Sequence, residues 1–343
     1  MDLEEKKKLI FRKPVDEVVT EEELEEILEK DEPSAYIGYA PTGEMHIGHF
    51  TTVRKIADFL RAGFKFKVLV ADIHAELDVE KTPKELLYAR TEWYTEAMKG
   101  MIEAAGAELD KVEIVKGSDF QHEKDYQKGY MHLMENATVN RAQRASSEVV
   151  RHEESIKASG VLYPFMQIMD CVALDVDIAY SGTDQRRIYM LGRETLPKVG
   201  EEKITCVFSE MLPGLEGGKM SSSEKGSKVA VTDSPEVIKE RIENAYCPEG
   251  KVEGNTVLQY VDNLLFPLLH DRDEKFHIER PKKYGGNVEY SNYRGLEEDF
   301  ERGDLHPQDL KLALAEKLAE ILKPVRDRFE GKKGLAEKAF PDE

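Results

Sequence analysis

The stretch from Ser34 to Asp72 constrains the fold more than any other part of the chain. Ser34-Ala35-Tyr36-Ile37-Gly38-Tyr39 reads as a short buried strand, closed by the turn formers Pro41, Thr42 and Gly43. Ile47, Phe50, Val53, Ile56, Ala57 and Leu60 then recur with the spacing of one helix face, and Gly63 stops the pattern. Phe66-Lys67-Val68-Leu69-Val70-Ala71 forms a second strand that ends in Asp72. Strand, helix and strand joined by such short connections predict a parallel pair with a right-handed crossover.

The alternation continues. A helix over 21–30 opens with Thr20 and Glu23 as a capping box, and nothing before it reads as structured. A helix over 83–104 starts at Thr82-Pro83, with Glu85 completing its box, and a strand follows at 112–116. Helical patterns fill 124–157 and 161–174; Val176-Asp177-Ile178-Ala179 precedes Gly182; a helix over 184–195 leads to a strand near 203–208. This order predicts an α/β fold with an open, doubly wound parallel sheet. Beyond it the composition changes. Residues 213–232 are rich in Gly, Ser and Lys, and from Ser234-Pro235 onward the pattern is mainly helical. Ile238, Ile242 and Ala245 make one stripe, and Leu310, Leu314, Leu318, Ile321 and Leu322 another, with Pro324 closing or kinking it. The expected division is an α/β domain over 1–212, a loop and linker over 213–232, and a C-terminal α-helical domain over 233–343.

Lys and Arg number 49 against 68 Asp and Glu, a formal charge of −19, which argues against binding nucleic acid through bulk charge but allows a local basic patch. An acidic surface kept for solubility explains most of the excess, and adaptation to salt is the other reading. No apolar run approaches the roughly 18 residues of a membrane span. The opening Met1-Asp2-Leu3-Glu4-Glu5 does not read as a signal peptide. Cys171, Cys206 and Cys247 lie far apart with no CxxC pair, which fits a reducing cytosol and gives no disulfide framework or thiolate zinc site.

Two segments carry the chemistry. His46-Ile47-Gly48-His49 sits just after a strand and turn, at the start of the first crossover helix. Ligands of open α/β sheets bind beyond the carboxyl ends of the strands, and a helix N-terminus offers free N–H groups and partial positive charge to phosphate. The two imidazoles would donate to phosphate oxygens, and Gly48 would let a nucleotide approach the backbone. The same rings also fit a two-histidine metal pair or no special role. Lys219-Met220-Ser221-Ser222-Ser223 follows glycines about 170 residues later. Such a loop could close over a triphosphate, its ammonium neutralising charge on departing pyrophosphate; the plainer reading is a solvated Ser/Lys linker.

Together HIGH and KMSSS, one at the first strand–helix turn and one after the last strand, resemble the paired signatures of the class I aminoacyl-tRNA synthetases. The resemblance extends over essentially the whole chain and is closest to the archaeal and eukaryotic type of tyrosyl-tRNA synthetase. The family's pocket pattern matches Tyr36 on the first strand, the Tyr163, Gln167 and Asp170 set, and Gln185 in Gly182-Thr183-Asp184-Gln185. Residues 163, 167 and 170 share one helix face by their spacing. The resemblance implies Asp170 and Tyr36 at a substrate hydroxyl, and Tyr163, Gln167 and Gln185 at its ammonium. Core packing is the ordinary role of Tyr36 and Tyr163, but Asp170 on an apolar stretch needs a partner if buried. Asp72, His74 and Gln121 fall on loops that would face the same pocket, His74 equally well from behind a direct ligand.

The activity so implied is a tyrosine–tRNA ligase, joining L-tyrosine to ATP as an adenylate and then to tRNA(Tyr), with Mg²⁺ accompanying the ATP. His46, His49 and Lys219 would be its catalytic groups, with Gly48, Met220, Ser221, Ser222 and Ser223 completing the ATP site. The helical domain would bind the anticodon through Asp309 and Tyr284, with His306 beside Asp309 in Leu305-His306-Pro307-Gln308-Asp309; Asp309 also fits a helix N-cap. Arg144 and Arg186, with Arg141 and Arg187, would meet the acceptor end, or merely solvate a surface. The segment 124–157 is the candidate interface of a homodimer, and the expected location is cytoplasmic, with no membrane contact. KMSSS lacks the second lysine of the general KMSKS form, for which Lys225 is close enough to substitute in part. No insertion large enough for an editing domain is expected. A tryptophanyl enzyme, a related nucleotidyltransferase and a non-catalytic RNA-binding relative are the competing readings.

Overall fold

Six strands form the central sheet of the computed structural model, which describes residues 1–78, 82–149, 157–217 and 228–341. They are β1 (Val15–Val19), β2 (Ser34–Tyr39), β3 (Lys65–Val70), β4 (Val112–Lys116), β5 (Ile178–Gly182) and β6 (Thr205–Ser209), in the order β1-β6-β5-β2-β3-β4. All neighbours are parallel except β1, which runs antiparallel to β6 with Val18 opposite Val207. The chain steps outward from β2 to β4, then crosses back to β5 and β6 on the other side of β2. That reversal leaves a crevice at the carboxyl ends of β2 and β5, where a doubly wound sheet binds its ligand.

Neighbouring residues of one strand serve opposite faces. Ile37, Val68 and Val70 join the helices Ile47–Arg61 and Lys84–Ala104 in one apolar cluster. Tyr36 and Leu69 join the helices Ala158–Ala173 and Arg186–Thr195 in another. This is the period-two geometry of a strand covered on both sides. The first cluster runs on into the C-terminal helices. Pro235–Glu243 packs against Pro307–Ile321 through the two expected stripes, and Lys323–Phe329 with Lys333–Ala339 folds back onto Lys84–Ala104. A Cβ on Gly100 would lie 2.7 Å from the Val325 Cα, so glycine is what lets these two helices touch. Trp93 sits 5.4 and 5.1 Å from the rings of Phe329 and Phe340.

Several elements differ from the expectation. Leu3–Phe11 is a helix capped by Asp2, with Glu5 reaching back in a capping box. The expected helical stretch 124–157 breaks at Asn136–Thr138 into Lys124–Glu135 and Val139–Ser146, because the Thr138 side chain accepts from Arg141 N–H and starts a new helix; 150–156 lie outside the described residues. Within the mainly helical C-terminal part, β7 (Phe276–Ile278) and β8 (Val288–Tyr290) form an antiparallel hairpin.

Beneath the first crossover helix lies a buried ionic cluster. Asp58 accepts from Arg12 Nε at 2.9 Å and faces Arg54 and Lys55 at 3.2 and 3.0 Å. Asp271, from the C-terminal half, bonds Arg12 and Arg61 at 2.8 and 2.6 Å. Burial alone would raise the Asp58 carboxyl, but Arg54, Lys55 and Arg12 outweigh it and hold it at about 2. The cluster thus ties the N-terminal helix, the crossover helix and the C-terminal half together through charge.

Candidate active site

The crevice at the strand reversal is a cavity of about 610 Å³. Tyr36, His46, Gly48, His49, Tyr163, Gln167, Asp170 and Gln185 all line it, as does His74. Residues separated by up to 149 positions therefore share one space, because β2, its following helix, the helix Ala158–Ala173 and the turn after β5 all end at the reversal.

At one end His46 is the N-cap of the crossover helix. Its Nδ1 accepts from Gly48 N–H at 3.2 Å, and His49 Nδ1 accepts from His46 N–H at 3.1 Å. The two rings lie 4.0 Å apart. Burial depresses both, with Lys228 and the companion ring adding to it at His46; His49 comes down to about 4. Neutral rings that accept at Nδ1 carry their proton on Nε2, so each presents one N–H donor. The backbone N–H groups expected to be free are not. Ile47 N–H donates to Val229 C=O, Gly48 to the His46 ring and His49 to His46 C=O. Ile47 is taken because Val229–Val231 pairs with Met45–Ile47 as a strand partner, and the other two are taken by His46 itself. Lys228, buried beside these rings, was missed in the sequence because it lies outside any motif. Lys219, Met220, Ser221, Ser222, Ser223 and Lys225 lie outside the described residues.

The far end is built around Asp170, 1% exposed. Its Oδ1 accepts from Gln121 Nε2 at 2.6 Å and from the Tyr126 hydroxyl at 2.8 Å. Burial pushes the carboxyl up to about 7, with those two hydrogen bonds pulling the other way. Tyr36 places its hydroxyl 2.9 Å from that of Tyr189. Gln167 Nε2 donates to Gln185 Oε1 at 3.2 Å, and Tyr163 packs edge-on against His74 at 4.7 Å. Burial, then the charge of Asp78, raises the Tyr163 phenol.

Two expected pocket residues stand back from the cavity. Asp72 accepts from Ile73 N–H at 3.0 Å and Ser118 N–H at 2.8 Å, which joins the ends of β3 and β4. Gln121 is fully buried behind Asp170. A Cβ on Gly117 would meet Gln121 Oε1 at 2.5 Å, so a glycine there gives the amide its room.

The residues expected at RNA lie elsewhere. Tyr284 is exposed, with Lys283 Nζ 4.6 Å from its ring centroid. His306, not Asp309, caps the helix Pro307–Ile321, its Nδ1 accepting from Gln308 N–H at 3.1 Å; Pro307 at the first position sets the start there and leaves Asp309 in the first turn. Arg144 is exposed. Arg186 is exposed but held by both oxygens of Glu17 on β1, at 2.6 and 2.8 Å, a partner that became visible only with that strand.

A nucleotide-sized crevice with imidazole N–H donors at one end and a buried carboxylate at the other fits amino-acid activation, and the family agrees. The chain belongs to the class I tRNA synthetases (W and Y), whose family model matches residues 28–323. Among individual proteins it is similar to the tyrosine–tRNA ligase of Haloarcula marismortui, 52% identical over 342 residues, covering 100% of this chain and 99% of that one. It is also similar to the solved tyrosyl-tRNA synthetases of Archaeoglobus fulgidus (TM-score 0.87, 41% identity, 95% of this chain and 99% of that one) and Pyrococcus horikoshii (TM-score 0.91, 32% identity, 99% and 100%), both complexed with L-tyrosine.

Proposed function

We propose that this chain is a tyrosine–tRNA ligase, which activates L-tyrosine with ATP and passes it to the 3′ end of tRNA(Tyr). The observation that carries this reading is Asp170, a buried carboxylate at the cavity floor whose Oδ1 is engaged by Gln121 and Tyr126 while Oδ2 has no hydrogen bond among the described residues. A phenol fills such a site, whereas phenylalanine would leave Asp170 Oδ2 desolvated without a partner.

The substrate ammonium would lie among Tyr163, Gln167 and Gln185, with its carboxylate toward His46 and His49. The carboxylate attacks the α-phosphorus of ATP and pyrophosphate leaves; no protein nucleophile is needed, and positioning with charge stabilisation supplies the rate. His46 and His49 would each give an Nε2–H donor to phosphate oxygens, and Lys219 with Met220, Ser221, Ser222 and Ser223 would complete the ATP site. Imidazole N–H donors suit phosphate rather than a cation, so Mg²⁺ would travel with the phosphates and their water. The tRNA acceptor hydroxyl then takes the acyl group.

The anticodon would be read in the C-terminal part near Tyr284, His306 and Asp309, and the acceptor end near Arg144, with Arg186 released from Glu17. Met131, Met134 and Val139 are exposed apolar residues on Lys124–Ser146, which supports a homodimer through that segment. Among the described residues no helix is long and apolar enough to cross a membrane; a cytoplasmic location is part of this proposal. Amino-acid-dependent ATP–pyrophosphate exchange tests the activity, with tyrosine, tryptophan and phenylalanine compared. Tyrosine alone should support exchange; exchange with tryptophan instead would overturn the substrate assignment, and none with any would overturn the enzyme.

A further inference from the structure

The floor of the cavity contains a second polar atom that the reading above does not use. His74 is 1% exposed, and its Nε2 has no hydrogen-bond partner among the described residues. The ring is held on its other side. Gln121 Nε2 lies 2.6 Å from Asp170 Oδ1 and 3.3 Å from His74 Nδ1, so one amide group donates to both. Accepting at Nδ1 fixes the neutral tautomer with its proton on Nε2. Burial supports the same state by bringing the imidazole down to about 4. The edge-on contact with Tyr163 sets the ring plane.

That Nε2–H stands 3.7 Å from Asp170 Oδ2, beyond hydrogen-bond range. An oxygen at about 2.8 Å from each atom would close the triangle. A phenol oxygen is suited to that position, because it accepts one hydrogen bond while donating another. Tyr36, the other group expected at the hydroxyl, shares a hydrogen bond with Tyr189 and keeps capacity for another, whereas His74 Nε2 has no partner at all among the described residues.

We infer that His74 is a specificity-determining residue: its Nε2–H donates to the substrate phenol oxygen, while Asp170 Oδ2 accepts the phenol proton. Gln121 acts through both, as a positioning residue that holds the donor and the acceptor from behind. The pair distinguishes three side chains by hydrogen-bond count. A phenol satisfies both groups, an indole N–H reaches only the carboxylate, and a phenyl ring satisfies neither.

This inference rests on the tyrosine reading, and the test separates the two. Full-length wild type, His74→Leu and His74→Gln are compared in ATP–pyrophosphate exchange with tyrosine and with phenylalanine, after urea unfolding has established that each is folded. His74→Leu should lower kcat/KM for tyrosine about 10–100-fold, mainly through KM, and change phenylalanine by less than about 3-fold. His74→Gln, whose amide can place an N–H near the lost one, should recover part of the difference. An equal fall for both amino acids, or no fall for either, would overturn the inference and leave His74 as packing for Tyr163. Wild type that exchanges with tryptophan rather than tyrosine would overturn the underlying reading, and this inference with it. If His74→Leu does not fold, ¹⁵N-histidine NMR of wild type decides: the His74 Nε2 resonance, assigned by its loss in His74→Gln, should shift on tyrosine but not phenylalanine binding, and an unchanged resonance would overturn the assignment.

Discussion

Asp58 and Asp170 are both buried aspartates on helices that flank the same sheet, and they have opposite fates. Asp58 is met by Arg12, Arg54 and Lys55, and its carboxyl is held at about 2. Asp170 is met by neutral donors at one oxygen, and burial raises it to about 7. A carboxylate surrounded by cations has no capacity left for a ligand, so Asp58 serves cohesion. A carboxylate with one oxygen unengaged among the described residues keeps an acceptor in reserve, which is what the proposed recognition role of Asp170 requires. Partner chemistry, more than burial, separates the two roles.

The largest expected effect breaks the first cluster. Asp58→Ala leaves Arg54 and Lys55 buried without their nearest counter-charge and should cost about 3–5 kcal/mol of stability, read from urea midpoints. Asp170→Asn should do the reverse: kcat/KM for tyrosine falls about 100-fold or more, while the fold keeps or gains stability at neutral pH, because the amide escapes the cost of ionising a buried carboxyl. If Asp170→Asn unfolds the protein and Asp58→Ala only slows it, the contrast is wrong.

Proton linkage sharpens the comparison because the two groups act in opposite senses. The Asp170 carboxyl is raised from 3.8, so its stabilising contribution is present below that value and lost as pH rises through about 7. The Asp58 carboxyl is lowered, so its contribution is present above 3.8 and lost as pH falls toward about 2. Urea midpoints of wild type should therefore decline relative to Asp170→Asn between about pH 4 and about pH 7 and run parallel above it, and parallel curves throughout would contradict the assignment. Catalysis should move the other way, since the substrate phenol donates to the ionised form: kcat/KM for tyrosine should drop below about pH 7. The smallest effect is reserved for charge at the surface. Arg186→Ala breaks an exposed pair with Glu17 and should change stability by less than about 1 kcal/mol.

Much of this was legible in the sequence where local pattern is sufficient. The parallel unit from Ser34 to Val70 follows from turn formers and apolar spacing, and the common face of Tyr163, Gln167 and Asp170 from helical period alone. β1 was not legible, since its five residues pair only with β6, some 190 positions away, and carry Asp16 and Glu17 among their valines. The helix Leu3–Phe11 had a signal, Asp2 and Glu5 at capping-box spacing, that was passed over. At the site, the histidine motif marked a place but not its wiring. That the Ile47 N–H is already taken depends on Val229–Val231 arriving from the other half of the chain, while His46 itself takes the next two. The partners of Asp170 were likewise out of reach, because Gln121 and Tyr126 meet it only through tertiary packing.

Trp93 closes its environment with Phe329 and Phe340, both made far later than itself. A ribosome adding about 5–20 residues per second takes on the order of 10–50 s to travel from position 93 to position 329. Throughout that interval the face of Lys84–Ala104 that awaits the helices Lys323–Phe329 and Lys333–Ala339 is without its cover, so that part of the core can form only after position 340 has been made. Trp93 is the single tryptophan of the chain. Its emission during refolding of the purified chain would therefore report that docking event without any added label.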